Sequence, residues 1–207
     1  MIDLYAYATS NGQRAAIMLE ECGLAYRVHR VDLAKGEQRS PEFLRLNPAG
    51  AIPVIVDDDA SGGRGQPLVL AQSGAIMLYC AEKTGKFLPR DPARRALALQ
   101  WLMQALSDVA RASSGVFMSS MLVPDKSPAN VEFFSQLTVR YFRDADVRLR
   151  DSEYLAGELS LADFALYPIY AARKDLITQA GDLPDLTRWA DGLAARSGVS
   201  KGMDSVK

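Results

Sequence analysis

The chain has 207 residues, 48% of them hydrophobic and 24% charged, with a formal net charge of -1. That length suits one large domain or two small ones, and the near-neutral balance gives no global field to attract nucleic acid or an anionic membrane. No uninterrupted apolar run is long enough to span a bilayer, and Met1-Ile2-Asp3-Leu4-Tyr5 has neither the basic nor the apolar region of a signal peptide.

Residues 2–8, with Ile2, Leu4, Tyr5 and Tyr7, read as a first strand, broken by Thr9-Ser10-Asn11-Gly12. From Gln13 to Cys22 the residues Ala15, Ile17, Met18, Leu19 and Cys22 recur at helical spacing. Ser10 or Asn11 can serve as N-cap, and Gly23 stands where a left-handed C-terminal residue is expected. Tyr26 to Leu33 is a second strand. Pro41 opens a short helix over Glu42 to Leu46, in the first-turn position that Pro tolerates. Ile52 to Val56 is a third strand, Asp57 to Gln66 a turn, and Leu68-Val69-Leu70 a fourth strand. A helix follows from Ser73 to about Thr84. The order β-α-β-α-β-β-α predicts parallel pairing of the first strands and antiparallel pairing of the last two. A small mixed sheet with helices on both faces results.

Composition changes after Gly85. Residues 86–92 hold two prolines and read as a linker. The predicted domains are 1–84, α/β, and 93–207, all-α, joined by 85–92. One long helix is predicted over Ala93 to about Met121 and a second over about Ala129 to Arg150, separated by Pro124 and Pro128. Ser160-Leu161-Ala162-Asp163 opens a third as a capping box, with Asp in the place of the usual Glu or Gln. A fourth starts near Asp185 and ends before Gly198, and the polar tail from Ser200 reads as frayed.

Three short stretches carry candidate chemistry. Asn47-Pro48-Ala49-Gly50-Ala51-Ile52-Pro53-Val54 ends a turn on an open backbone edge. A residue before proline is driven to extended geometry, and if the Ile52-Pro53 bond is cis the chain turns sharply and leaves the Ile52 N–H and C=O open to an added peptide strand. From local sequence alone the Ile52-Pro53 bond is trans, since only about 5–6% of X–Pro bonds in folded proteins are cis. Gln72-Ser73 sits at a helix start, where free N–H groups and a partial positive charge suit a carboxylate. Ser73 caps a helix beginning at Gly74 in this reading. Thr9-Ser10-Asn11 lies where strand one meets helix one, and its hydroxyls and amide can hydrogen-bond a thiolate.

Other signals point away from metal and triad chemistry. Cys22 and Cys80 lie in apolar helical surroundings with no C-x-x-C pair, which fits a reducing cytoplasm. His29, the lone histidine, lies in a strand, so neither a metal site nor a Ser-His-Asp triad is expected. Gly62-Gly63-Arg64-Gly65 matches no phosphate-binding loop and reads as a turn. Asp57-Asp58-Asp59 lacks the spacing of a calcium loop.

In order and spacing these stretches resemble the cytosolic glutathione S-transferases over nearly the whole chain. The Asn47 to Val54 run looks like that family's cis-proline loop, Gln72-Ser73 like its pair for the γ-glutamyl group, and Ser160 to Asp163 like its capping box. The resemblance implies a thioredoxin-like first domain, an all-helical second domain, usually a homodimer, and glutathione as co-substrate without a metal. Met1 to Tyr5, Thr9 to Gly12 and Pro41-Glu42-Phe43-Leu44 look most like bacterial nu-class members, which typically reduce disulfides. That likeness maps sulfur contacts onto Thr9 and Asn11. Theta- and delta-like members map thiol activation onto Ser10, four residues before Arg14. Both assignments stay open. Gln38 matches a contact to the glycyl end, and Lys35 and Arg39 are cations near it. Gln72 stands where the nu-like pattern has Glu, which keeps an acceptor and loses a charge. The second substrate is expected against the long helix, with Arg111, Phe117, Met118 and Met121 as lining. The readings are a glutathione-dependent transferase, a disulfide reductase or peroxidase on the same scaffold, and a non-catalytic binding module.

Overall fold

In β1 (Ile2–Ala6) the alternate residues Ile2, Leu4 and Ala6 are buried and those between them are half-exposed. Period-two burial gives the strand one face for helices. A computed structural model, describing residues 1–61 and 66–207, sets β1 inside a four-stranded sheet of order β2-β1-β3-β4. β2 (Tyr26–Arg30) runs parallel to β1. β3 (Val54–Ser61) runs antiparallel to both β1 and β4 (Pro67–Ala71). α1 (Ser10–Cys22) and α3 (Ser73–Thr84) pack together on one face. α2 (Pro41–Leu46) lies on the other, where Phe43 meets Tyr5 edge-on at 6.5 Å beside Val31 and Val54.

The element order is the one expected, but several bounds differ. β2 stops at Arg30, short of Leu33. β3 passes through Asp57 instead of turning there. The acidic composition misleads because Asp57 is fully buried and its Oδ2 accepts from Tyr79 Oη at 2.5 Å and Lys83 Nζ at 2.6 Å. Burial pushes this carboxyl up, yet the Lys83 and Tyr79 bonds outweigh it and hold it below its usual range. The same bonds tie α3 to the sheet. The turn expected at Gly62-Gly63-Arg64-Gly65 lies outside the described residues.

The chain divides into two compact units, Met1–Leu88 with Ala195–Lys207, and Pro89–Ala194. The tail expected to fray from Ser200 is instead helix α10, Ser197–Ser205, docked on α1. This removes 195–207 from the helical domain expected over 93–207. Two glycines one turn apart, Gly198 and Gly202, permit the docking. A Cβ at Gly202 would lie 2.5 Å from the Ile17 Cα and N. Arg196 grips the buried Glu21 carboxylate through Nε at 3.0 Å and Nη2 at 2.6 Å.

In the second unit, the long helix expected over 93–121 is one helical run with two changes of winding. It is α over α4 (Pro92–Met103) and α5 (Ala110–Phe117), and π over Gln104–Val109 and Met118–Leu122. α6 (Pro128–Leu149), α7 (Leu161–Ala172), α8 (Lys174–Gln179) and α9 (Pro184–Ala194) follow. The short α8 was not anticipated. The capping box at Ser160 and Asp163 forms as expected. Asp163 is fully buried and accepts from four donors: Ser160 N at 2.9 Å, Ser160 Oγ at 3.2 Å, Leu155 N at 3.0 Å and Trp189 Nε1 at 2.9 Å. Trp189 in turn packs edge-on against Tyr167 and Tyr170 at 6.3 and 6.2 Å. Among the described residues no helix is long and apolar enough to cross a membrane.

Candidate functional site

Strand register brings three segments to one end of the sheet. Tyr5 pairs with Val54, and Val54 with Ala71. The exit of β1 toward Thr9, the entry to β3 after Ile52-Pro53, and the exit of β4 into Gln72-Ser73 therefore lie side by side.

The first segment starts α1. Its N-cap is Thr9, not Ser10 or Asn11: Thr9 is extended at φ -119°, ψ 158°, and its Oγ1 accepts from Gly12 N at 3.1 Å. A hydroxyl that accepts this bond still has its hydrogen to donate. Ser10 and Asn11 are the first two helical residues, Ser10 half-buried and Asn11 exposed. Gly12 is required here, because a Cβ would lie 2.2 Å from the Tyr7 carbonyl oxygen.

The second segment is the Asn47 loop. Asn47 Nδ2 donates to Ala51 O at 2.7 Å, and Asn47 Oδ1 accepts from Ala49 N at 3.2 Å. These bonds fold the loop into the turn that Asn and Gly favour. The Ile52-Pro53 bond is cis, contrary to the local expectation and as the family resemblance implied. Among the described residues nothing bonds to the Ile52 N–H or C=O. Arg39 Nη1 reaches Ala49 O at 3.4 Å, so Arg39 and its neighbour Gln38 border this loop. Gln38 Oε1 is buried without a hydrogen-bond partner among the described residues, a state that costs free energy unless a ligand or water donates to it. Lys35 is exposed, with Nζ 3.8 Å from Asp32 Oδ2.

The third segment starts α3. Gln72 occupies the N-cap position with φ 76° and ψ 118°, and its side chain makes no cap bond. A residue with a Cβ held there costs about 1–3 kcal/mol, which the surrounding structure must impose. Ser73 is buried and is the first helical residue rather than the cap. Its Oγ points across to α1 and donates to Asn11 Oδ1 at 3.4 Å. Two helix N-termini thus meet through their side chains, and both favour negative charge.

Arg14 joins the same cluster, a role that sequence reasoning missed. Its Nη1 donates to Asn11 Oδ1 at 2.6 Å, and the residue is 1% exposed. Burial lowers its guanidinium to about 10, which leaves it charged at neutral pH. A signal was present: Arg14 lies in helical register with the buried Met18 and Cys22. Asn47, the organiser of the cis-proline loop, was likewise read only as part of a turn.

The remaining candidates are carried by other elements. Arg111 and Phe117 are exposed on α5, and Met118 and Met121 are exposed on the following π segment. Cys22 and Cys80 are buried free thiols, Cys22 raised by burial and Cys80 pushed up to about 12. Such thiols do not act as nucleophiles at neutral pH. His29 Nε2 lies 2.7 Å from Asp3 Oδ1, and its ring stacks on Tyr5 at 4.6 Å. No group of three metal-ligating side chains occurs among the described residues.

Residues 9–83 match the family model described as the N-terminal domain of glutathione S-transferase. The disulfide-bond oxidoreductase YfcG of Escherichia coli is 37% identical, covering 98% of this chain and 94% of that protein. The disulfide-bond oxidoreductase YghU of the same organism is 30% identical over 97% of this chain and 73% of its own length. Among solved structures, a Pseudomonas putida glutathione transferase with one glutathione disulfide bound per subunit superposes with a TM-score of 0.88, at 33% identity, covering 98% of this chain and 90% of that one. A Burkholderia graminis glutathione transferase with two glutathione molecules bound per subunit gives 0.89 at 32% identity, covering 100% and 88%.

Proposed function

This chain belongs to the glutathione S-transferase family, and we propose that it is a glutathione-dependent enzyme that binds the tripeptide at the meeting of α1, the cis-proline loop and α3. The observation that carries this is the contact between Ser73 and Asn11 at 3.4 Å, which joins two helix N-termini. The Ile52 N–H and C=O take the peptide backbone, and the N-terminus of α3 with Ser73 takes the γ-glutamyl carboxylate. Gln72 accepts from its ammonium. The orphaned Gln38 Oε1, with Arg39 and Lys35 close in sequence, serves the glycyl end. Thr9, Ser10 and Asn11 lie where the sulfur falls. Donors and two helix termini there stabilise a thiolate, which is the reactive form.

Within this function two reactions compete, transfer of the thiolate to an electrophilic carbon and reduction of a disulfide. The 37% and 30% identical oxidoreductases favour the second. Because Cys22 and Cys80 are buried, both reducing thiols come from glutathione. One glutathione thiolate attacks the disulfide and expels a thiolate; a second attacks the mixed disulfide, giving glutathione disulfide and a second thiol. Assays with an aryl halide and with a disulfide substrate separate the two. The exposed Phe117, Met118 and Met121, with Arg111, are the residues assigned to the second substrate. A cytoplasmic homodimer completes the reading.

Ser73→Ala is expected to weaken glutathione binding by about 1–3 kcal/mol, the cost of a hydrogen bond to a charged group. Calorimetric titration measures it. An unchanged affinity removes Ser73 from the site.

A further inference from the structure

We propose that Arg14 is a positioning residue that locks the Asn11 carboxamide with its NH2 group outward, so that Asn11 presents a donor to the glutathione sulfur; this rests on the thiolate reading above. A carboxamide offers either an acceptor or a donor to a ligand, depending on how it is turned. At Asn11 the choice is determined by its neighbours. Arg14 can only donate, and its Nη1 is 2.6 Å from Asn11 Oδ1. Ser73 Oγ donates to the same oxygen at 3.4 Å in the free protein, and when its one hydrogen turns to the γ-glutamyl carboxylate Arg14 remains to hold the amide. Turning the amide over would set an N–H against the guanidinium N–H and forfeit a short, charge-assisted bond. Arg14 is 1% exposed on the buried face of α1, whereas Asn11 is exposed at its first turn. Arg14 therefore does not touch the substrate and acts through Asn11. Its positive charge also polarises the amide, which strengthens the outward N–H as a donor.

The test is an ultraviolet titration of glutathione bound to the full chain, compared across Asn11→Ala, Arg14→Lys, the double variant and Asn11→Asp. Lys keeps the charge but not the planar fork. Arg14→Lys is expected to raise the bound-thiol pKa by at least half the shift seen in Asn11→Ala, and the double variant to match Asn11→Ala alone. Asn11→Asp keeps an oxygen for Arg14 but turns a second oxygen outward, so its thiol pKa is expected above that of Asn11→Ala. Three results would overturn the proposal: an unshifted pKa in Arg14→Lys, full additivity in the double variant, or a lower pKa in Asn11→Asp than in Asn11→Ala. If Arg14→Lys does not fold, Arg14→Gln takes its place under the same two expectations, because it keeps N–H donors but loses the charge and the fork. Failure of the thiolate reading itself is distinct, because it is visible in the unaltered protein.

Discussion

Asp163→Ala is expected to lower unfolding stability by about 3–5 kcal/mol, a large part of the roughly 5–15 kcal/mol that holds an ordinary domain folded. The carboxylate is fully buried and accepts from two backbone N–H groups, the Ser160 hydroxyl and the Trp189 indole. Removing it strands several buried donors at once, each costing about 1–3 kcal/mol when unmatched. It also opens a void beside Trp189, whose ring packs on Tyr167 and Tyr170. The damage therefore reaches beyond the cap of α7 into the aromatic core of the second unit. Urea denaturation measures it. A loss below about 1 kcal/mol would mean that water reaches these donors, contrary to the burial described.

Gly202→Ala is expected to cost about 2–3 kcal/mol, because its methyl would overlap the Ile17 backbone. Backbone on both sides leaves nothing flexible to yield, so α10 must shift off α1. The sign distinguishes this from a general property of helical glycine. Gly192, inside α9, has open space where a Cβ would go, and Gly192→Ala is expected to stabilise by up to about 1 kcal/mol through helix propensity. Denaturation midpoints of the two variants should move in opposite directions. A midpoint for Gly202→Ala that holds or rises would contradict the close α1–α10 approach.

Much of the local structure around the candidate site was legible because its signals are local. Asn47 to Val54 announces a turn and then an apolar strand, and Gln72-Ser73 announces a helix start. The Ile52-Pro53 isomer was not legible locally, and only the family likeness implied cis. Thr9, Ser10 and Asn11 are all good caps. The choice among them is made by how β1 ends, with the Thr9 N–H bonded to Tyr7 O at 2.6 Å. The extension of β3 through Asp57 depends on Tyr79 and Lys83, far along the chain. α10 was hidden for a related reason. Its Gly, Ser and Lys content reads as frayed, and its burial comes from Gly202 fitting against Ile17. Arg14 entered only as the residue four after Ser10: its helical register with Met18 and Cys22 was visible, but what covers that face of α1 was not.

The account stands on the claim that this chain lowers the pKa of glutathione bound between α1 and α3. Following thiolate absorbance against pH in the saturated complex tests it most directly. The predicted result is a bound-thiol pKa at least about one unit below the ordinary value of about 8.5. Saturable binding with an unshifted pKa, or no binding, would contradict it.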